Sequence, residues 1–295
     1  MSHVASEIAS QPDCWRQAAQ VAATRPAGLP ERGERVAVLG CGTSLYIAQA
    51  YATLREAAGA GETDAFTPTE APLHRPYDRV VAITRSGTTT EILDALRGLR
   101  AGLPSVAITA DPTTPVVQAA HDVVVLDFAD EQSVVQTRFA TSCLALLRAS
   151  LGEDVESLAL QAKEAIDEPL PAGVLERSQF TFVGTGFAVG IAAEAALKMR
   201  EASNSWTESY PATEYRHGPF SITDERSVTW AFGTVSPALL EDVRATGAIA
   251  VHHDRDPMAD LIVAQRLAVA LAEARGLDPD RPRNLTRSVI LTDGA

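Results

Sequence analysis

Five hydroxyl side chains are crowded into residues 84–90, directly after an apolar, strand-like run. They are Thr84, Ser86, Thr88, Thr89 and Thr90. If a helix follows, this segment (hereafter the hydroxyl loop) connects a strand to a helix at the carboxyl edge of a parallel sheet, where doubly wound folds bind ligands. The helix N-terminus would add unpaired N–H groups, and Arg85 a cation able to contact phosphate through two nitrogens. The loop therefore predicts an oxyanion site; the simpler alternative is that Thr88 and Glu91 form a capping box.

A second group of reactive side chains lies on a predicted helix over 187–203. Glu194, Lys198 and Glu201 are spaced i, i+4 and i+7, so they share one helix face. Lys198 is one of only two lysines among 25 basic residues, which hints that the amine itself is needed. The helix begins at a glycine turn, so we expect the group at a ligand-binding edge; the alternative is an exposed row of salt bridges. His217 stands beside Gly and Pro and is expected on a loop.

Two glycine turns follow strand-like runs, at Gly40-Cys41-Gly42 and at Gly184-Thr185-Gly186. Both turns lack the third glycine of the dinucleotide-binding fingerprint. A nicotinamide-dependent dehydrogenase stays open as an alternative, but it would leave the hydroxyl loop without a role. The dipeptide Ile-Ala follows both turns at the same spacing, which favours a duplicated α/β domain.

The composition excludes several classes of protein. The net charge is −13 and the basic residues are scattered, so no nucleic-acid surface is expected. Three cysteines without a CxxC pair indicate a reducing compartment and no disulfide framework or thiolate metal site. His252 and His253 are adjacent on a predicted strand and point to opposite faces, so no metal site is predicted. No apolar run approaches about 18 residues and the N-terminus is polar, so we predict a cytoplasmic protein with no membrane span and no cofactor.

Apolar strand-length runs alternate with helix-length segments along the chain. Strands are predicted over 35–40, 78–85, 105–110, 122–128, 179–186, 227–234 and 248–253. Helices are predicted over about 3–24, 44–58, 89–101, 133–151, 154–167, 187–203, 237–246 and 257–275. The strands are continuously apolar, as expected for parallel strands covered by helices on both faces. The pattern predicts an α/β protein with two doubly wound parallel sheets. We expect an N-terminal helical segment (1–34), two domains (35–167 and 168–275) and a C-terminal tail (276–295).

Six motifs, taken in order along nearly the whole chain, resemble the sugar isomerase (SIS) domain family. The similarity is to its tandem members, such as the isomerase half of glucosamine-6-phosphate synthase and stand-alone phosphosugar enzymes. The motifs are GCGTS (40–44), TRSGTTTE (84–91), EQSVVQTRFATS (131–142), EAALKMREAS (194–203), ATEYRHGP (212–219) and DPDRPRNLTRSV (278–289). The resemblance implies two flavodoxin-like subdomains and a sugar phosphate as ligand.

The resemblance also implies a role for each matching residue. The residues that would hold the phosphate are Ser44, Thr84, Arg85 (where the synthase has Gln), Ser86 and Thr89. Thr43 would contact sugar hydroxyls, and the backbone near Val134 would line the ring. Glu201 matches the carboxylate that moves a proton between C1 and C2, and Lys198 matches an assisting amine. His217 matches the ring-opening residue, which reaches the site from a neighbouring subunit, so the resemblance implies at least a homodimer.

Two departures from the synthase narrow the expected activity. Arg287 stands in the tail at the position where relatives that make glucosamine 6-phosphate carry a lysine, and a guanidinium cannot form an imine with a ketose. The chain also begins Met1-Ser2, without the N-terminal cysteine of a glutaminase, so we expect no glutamine-dependent amide transfer. We predict an isomerase or deaminase of a hexose or hexosamine phosphate, such as one converting glucosamine 6-phosphate to fructose 6-phosphate and ammonia. The alternative is a non-catalytic, sugar-phosphate-sensing regulator.

Overall fold

A computed structural model of the chain describes residues 2–291, which fall into two compact units. The five-stranded unit comprises residues 13–131, 138–156 and the tail from residue 286. The four-stranded unit comprises the N-terminal segment up to residue 12 together with residues 132–137 and 157–285. Each unit thus draws on distant parts of the sequence. The domain boundaries predicted above stay predictions, and residue 1 and residues 292–295 of the predicted tail lie outside the described range.

The elements of the described range alternate between strands and helices as predicted. The helices are α1 (His3–Ala9), α2 (Gln11–Ala23), α3 (Thr43–Ala57), α4 (Thr90–Arg97), α5 (Val116–Ala119), α6 (Arg138–Ser150), α7 (Val155–Asp167), α8 (Ala188–Ser203), α9 (Pro237–Ala245) and α10 (Pro257–Ala274). The strands are β1 (Val36–Gly40), β2 (Thr63–Phe66), β3 (Arg79–Ile83), β4 (Ser105–Thr109), β5 (Asp122–Val125), β6 (Gln179–Gly184), β7 (Thr207–Pro211), β8 (Ser227–Phe232) and β9 (Ile249–His252).

The five-stranded sheet is parallel, with strand order β2-β1-β3-β4-β5. Its central strands β1 and β4 are buried along their whole length, because helices cover both faces of a doubly wound sheet. The order reverses between β1 and β3, which is the switch point where such sheets bind ligands at their carboxyl edge. The connections that leave this point are the GCGTS turn and the hydroxyl loop.

The four-stranded sheet repeats the arrangement, with parallel order β7-β6-β8-β9. Three buried aromatic rings, those of Phe182, Trp230 and Phe232, pack with centroids 6.3–6.5 Å apart in the middle of this sheet. Helices α8 and α10 pack against each other in this unit. The two parallel sheets confirm the predicted fold class, two doubly wound α/β subdomains of flavodoxin-like type.

Short edge elements escaped the sequence analysis. The strands β2 and β7 and the helix α5 were not predicted, and the predicted N-terminal helix is broken at Ser10 into α1 and α2. β2 and β7 lie at the edges of their sheets and are only partly buried. Their sequences, TDAF and TESYP, therefore lack the continuous apolar run that marks a central strand.

The predicted helix over 133–151 begins five residues late, at Arg138. The backbone ahead of it bends over residues 132–135 and is held by a buried carboxylate from α1. Glu7 accepts hydrogen bonds from the N–H of Gln132 at 2.6 Å and of Ser133 at 3.3 Å. The Ser133 hydroxyl also donates to Glu7. These long-range bonds hold residues 132–133 outside the helix, so tertiary contacts override the helical pattern.

Candidate functional site

The hydroxyl loop lies between β3 and α4, at the carboxyl edge of the five-stranded sheet. Gly87 has a φ of +62°, and a Cβ there would stand 2.0 Å from the Thr114 hydroxyl, so only glycine fits. Thr89 is the N-cap residue of α4, yet its side chain makes no capping hydrogen bond. The hydroxyls of Ser86 and Thr88 instead lie 3.1 and 2.9 Å from the Ser288 hydroxyl. The capping-box alternative is therefore wrong for Thr88, and the hydroxyls are directed at the edge of the sheet.

The GCGTS turn brings two further predicted residues to the same edge. Thr43 and Ser44 form the first turn of α3 and are each 4% exposed. A Cβ on Gly40 would lie 2.4 Å from the backbone carbon of Ser44, so glycine permits the close approach of strand and helix. Burial, with a smaller contribution from the Glu91 carboxylate, raises the pKa of the Cys41 thiol to about 11, so this thiol stays neutral in the turn.

Arg85 is buried rather than exposed, with 3% of its side chain accessible. Its guanidinium forms an ion pair with the fully buried Glu131 at 3.1 Å, and its Nη2 donates to the Arg287 carbonyl at 3.4 Å. Arg287 in turn donates to the Glu131 carbonyl and to the Asp130 carboxylate. Glu131 therefore joins the two predicted arginines. No role was predicted for it, although the motif EQSVVQTR begins with this residue.

The Glu194–Lys198–Glu201 row of the four-stranded unit is buried. Lys198 is 1% exposed; its ammonium lies 3.6 Å from the Glu194 carboxylate and also contacts the carboxylate of Glu201. Glu194 is fully buried, whereas Glu201 keeps 17% of its side chain exposed. The exposed-row alternative is therefore wrong. A buried cation held between two carboxylates is an arrangement that proteins use to control protonation.

The row does not lie at the carboxyl edge of its own sheet, as we expected from the glycine turn. Glu201 stands 13 residues after Ala188, the first residue of α8. At about 1.5 Å per residue this places it about 20 Å along the helix from the turn. Glu201 lies near the point where β7 begins, because Arg200 donates to the Thr207 carbonyl at 3.2 Å. The helix period correctly places the three side chains on one face, but Glu201 lies at the opposite end of α8 from the glycine turn.

Residues 132–137 and the N-terminal helix surround Lys198. A narrow void there is lined by Val4, Ile8, Val135, Thr137 and Lys198, together with residues of α8 and α10. The Val134 N–H donates to the Asp280 carbonyl at 2.9 Å, which ties this segment to the region before the tail. The buried Glu7 was missed by sequence reasoning. Its spacing from Val4 and Ile8 places it on the apolar face of α1, and that was the available signal.

His217 follows a short 3₁₀ turn at Glu214–Arg216 and is exposed. Its ring makes no hydrogen bond within residues 2–291, whereas the imidazoles of His121, His252 and His253 each have a partner. The loop position is confirmed. Its action across a subunit interface stays a prediction.

The predicted residues thus fall into one set in each unit. The five-stranded unit holds Thr43, Ser44, Thr84, Arg85, Ser86, Thr89 and Arg287. The four-stranded unit holds Val134, Lys198, Glu201 and His217. Over the described range, no group of three or more His, Cys, Asp or Glu residues is arranged to hold a metal ion, and the three cysteines form no disulfide. The same part of the chain contains no helix long and apolar enough to cross a membrane.

The sequence is similar to curated glutamine–fructose-6-phosphate aminotransferases. The enzyme of Thermus thermophilus is 29% identical over 325 aligned residues, which cover 89% of this chain and 53% of that protein. The enzyme of Methanothermobacter thermautotrophicus is 28% identical over 306 residues, which cover 88% of this chain and 52% of that protein. The chain therefore spans about half the length of the relatives it matches. No protein-family model matches it.

Solved structures share the fold over nearly the whole chain. Glucosamine-6-phosphate deaminase from Thermotoga maritima superposes with a TM-score of 0.80 and 23% identity, covering 98% of this chain and 100% of that chain. Tagatose-6-phosphate ketose/aldose isomerase from Escherichia coli gives 0.79 and 20%, covering 98% and 96%. The chain is thus a relative of the isomerase (SIS) portion of the aminotransferases and has the two-subdomain SIS fold of phosphosugar isomerases.

Proposed function

We propose that this protein is an enzyme of the phosphosugar isomerase type that binds a hexose or hexosamine phosphate and moves a proton between its C1 and C2 atoms. The proposed phosphate-binding residues belong to the five-stranded unit, and the proposed proton-transfer residues belong to the four-stranded unit. The observation that carries the proposal is the buried Lys198, held between the carboxylates of Glu194 and Glu201. The relatives support the coarser class, a phosphosugar isomerase.

The hydroxyl loop suits a phosphate dianion. Short Ser and Thr hydroxyls donate hydrogen bonds without adding bulk, and the N-terminus of α4 adds a partial positive charge. Ser44 and the loop residues Thr84, Ser86 and Thr89 are the proposed phosphate ligands, and Thr43 contacts sugar hydroxyls. Arg85 is engaged with Glu131, so its role is to set the charge beneath the loop rather than to clamp the phosphate alone.

Glu201 is the proposed base. Aldose–ketose exchange requires removal of a weakly acidic proton next to a carbonyl, and a carboxylate shielded from water can take it. Glu201 removes the C2 proton of the open-chain sugar and returns it to C1. Lys198, in contact with this carboxylate, stabilises the negative charge that develops on the enediolate oxygen. The proposed role of His217 is to open the sugar ring, acting from the partner subunit of a homodimer.

A sugar phosphate with an amine at C2 would undergo the same proton transfer but give a different product. Moving the C2 proton to C1 leaves a C2 imine, and water then adds to C2 and releases ammonia, which yields the ketose phosphate. Arg287 supports this direction, because a guanidinium cannot form the imine with a ketose that a lysine forms. We therefore favour deamination or simple isomerisation over amide transfer. We further propose that the reaction runs in the cytoplasm, without a cofactor.

The substitution Glu201→Gln tests the proposal. We expect the rate of ketose formation from glucosamine 6-phosphate or from a hexose 6-phosphate to fall by about 10²- to 10⁴-fold, the usual contribution of a general base. Binding of the sugar phosphate, measured by calorimetry, should persist. Glu164→Gln on the exposed face of α7 is the matched control and should leave the rate unchanged.

The same experiment distinguishes the two hypotheses, an enzyme and a non-catalytic sugar-phosphate sensor. A wild-type chain that binds sugar phosphates but turns none of them over would favour the non-catalytic regulator and contradict the proposal. A Glu201→Gln variant that keeps full turnover would show that Glu201 is not the base. Released ammonia and ketose, assayed separately on each substrate, distinguish the deaminase from the isomerase.

A further inference from the structure

A cavity of about 420 Å³ opens at the carboxyl edge of the four-stranded sheet. It is lined by residues that follow β6, β8 and β9, among them Thr185, Gly186, Thr234, His252 and Arg255. The four-stranded sheet repeats the topology of the five-stranded sheet. The cavity therefore lies at the edge equivalent to the one that carries the hydroxyl loop. The function proposed above gives it no role.

The two edges share their backbone geometry. Gly42 after β1 has a φ of +55°, and Gly186 after β6 has a φ of +61°. Gly87 after β3 has a φ of +62°, and Gly233 after β8 has a φ of +73°. Side chains other than glycine rarely adopt these values, so the agreement at both connections shows that the backbone turns of the first sheet edge are repeated at the second.

This cavity is separate from the proposed proton-transfer group. Both lie in the four-stranded unit, at opposite ends of α8. Thr185 and Gly186 precede this helix, whereas Glu201 lies near its last residue, about 20 Å away at about 1.5 Å per residue. A hexose phosphate is about half that length, so one molecule cannot contact both. A ligand in this cavity would be a second ligand.

The groups around the cavity suit an oxyanion with hydroxyls. Thr185 and Thr234 are exposed hydroxyls at the mouth of a 16-residue helix, whose N-terminus carries a partial positive charge. The Arg255 guanidinium uses Nη2 for Glu168, while its Nη1 is buried and has no hydrogen-bond partner within residues 2–291. The side chain as a whole is 17% exposed and lines the cavity, so a phosphate bound there would lie beside this cation.

The nearby carboxylates do not cancel this charge. Glu168 contacts both Arg255 and His253, the latter at 3.3 Å, and Asp260 accepts a hydrogen bond from His253 at 2.6 Å. Each of these two carboxylates therefore already has a cationic partner. Asp254 also lines the cavity but is exposed, so solvent screens its charge.

We propose that this cavity, the second cradle, binds a small phosphorylated polyol of the sugar-phosphate class, separately from the hydroxyl loop. The phosphate lies at the start of α8, within reach of Thr185, Thr234 and Arg255. The inference does not rest on the proposed catalytic activity. A chain that proved to be a sensor would carry the same second site.

Hydrogen exchange on the full chain tests this assignment, with fructose 6-phosphate and inorganic phosphate as probes. We expect either probe at millimolar concentration to protect residues 184–190 and 232–236. The double substitution Thr185→Val/Thr234→Val keeps the side-chain shape and removes two donors, so the concentration needed for protection should rise at least about tenfold. Thr234→Trp, which fills the cavity, should abolish the protection. Turnover should be unchanged in both variants.

The matched control is Ser86→Ala/Thr89→Val in the hydroxyl loop. It should weaken protection of residues 84–90 and leave residues 184–190 protected. The proposal is overturned if wild-type residues 184–190 gain no protection, or if their protection survives Thr234→Trp and disappears with the hydroxyl-loop substitutions. Failure of the catalytic proposal would look different, with turnover absent while the protection at 184–190 stands.

Discussion

Single residues show their roles most clearly where charge is buried. Lys198 and Arg85 are each almost inaccessible, and each contacts a carboxylate that is also inaccessible, Glu194 or Glu131. Moving a charge out of water costs several kcal/mol, so such a residue is kept only with a partner that offsets the cost. The two pairs carry the electrostatics of the two units, one beside the proposed base and one beneath the proposed phosphate loop.

The chain contains two lysines, one buried and one exposed, which allows a matched test of that cost. Lys198→Met leaves the Glu194 carboxylate buried without its cation, and we expect the free energy of unfolding to fall by about 3–5 kcal/mol. Lys163→Met removes the other lysine, which is exposed on α7, and should change it by less than about 0.5 kcal/mol. Urea unfolding of both variants measures the difference. Equal stability of the two variants would mean that the buried Lys198–Glu194 pair contributes no net stability.

In each unit, the first strand of the sheet approaches the helix that follows it very closely: β1 approaches α3, and β6 approaches α8. Gly40 and Gly184 end β1 and β6 at the point where α3 and α8 begin. A Cβ on Gly184 would stand 2.1 Å from the Ala188 carbonyl oxygen, which is backbone and cannot turn away. The glycines therefore set the distance between strand and helix, and with it the shape of both sheet edges.

Gly184→Ala should separate β6 from α8. We expect the melting temperature to fall by several degrees or more, since overpacking against backbone costs about 1–3 kcal/mol or more. Gly98→Ala at the end of α4 is the control, because its Cβ would lie 3.2 Å from the Asp94 carbonyl oxygen. Calorimetry of both variants gives the comparison. A Gly184→Ala protein as stable as Gly98→Ala would show that the strand and helix are free to move apart.

His253 joins three elements of the four-stranded unit. A hydrogen bond to Asp260 on α10, opposed by burial and assisted by the Asp260 and Glu168 charges, raises the pKa of His253 above its ordinary value of 6.5. Arg255 acts in the opposite direction, and the Trp230 ring packs edge-on against the imidazole. A raised pKa means that the folded protein holds this proton more tightly than the unfolded chain does.

The stability contributed by His253 is therefore complete below pH 6.5 and is lost as the pH rises through the raised pKa. His253→Asn should destabilise the protein most at low pH, and the difference from the wild type should shrink as the pH rises. His74→Asn, at an exposed position, serves as the control and should show no such trend. Melting temperatures between about pH 6 and 9 provide the measurement. A constant difference across this range would contradict the assignment.

The whole molecule is proposed to act as a homodimer with His217 serving the partner's site. In a two-fold symmetric dimer, mixing Glu201→Gln with His217→Ala gives mixed dimers in which one of the two sites keeps both native residues. With random exchange, half of the dimers are mixed, so we expect about a quarter of the wild-type rate. Each variant alone should be inactive. If mixing restores nothing, His217 acts within its own chain or not at all.

Much of the fold was readable from the sequence because its central strands are continuous apolar runs. All seven predicted strands reappear within about three residues of their expected ends, and the hydroxyl loop and both glycine turns fall at strand-to-helix connections, as predicted. Edge strands such as β2 and β7 were not readable, since only the first residue of each is fully buried and neither contains a continuous apolar run.

The sequence by itself determined the fold class, the two sheet edges and the residue types placed on them, because apolar periodicity and turn chemistry act over a few neighbouring residues. Only the tertiary structure decided which charges are buried and which groups they meet. Glu131 reaches Arg85, and Glu7 reaches Ser133, across more than 40 intervening residues. Local patterns carry no information about such partners, because these contacts form only when the sheets and helices pack.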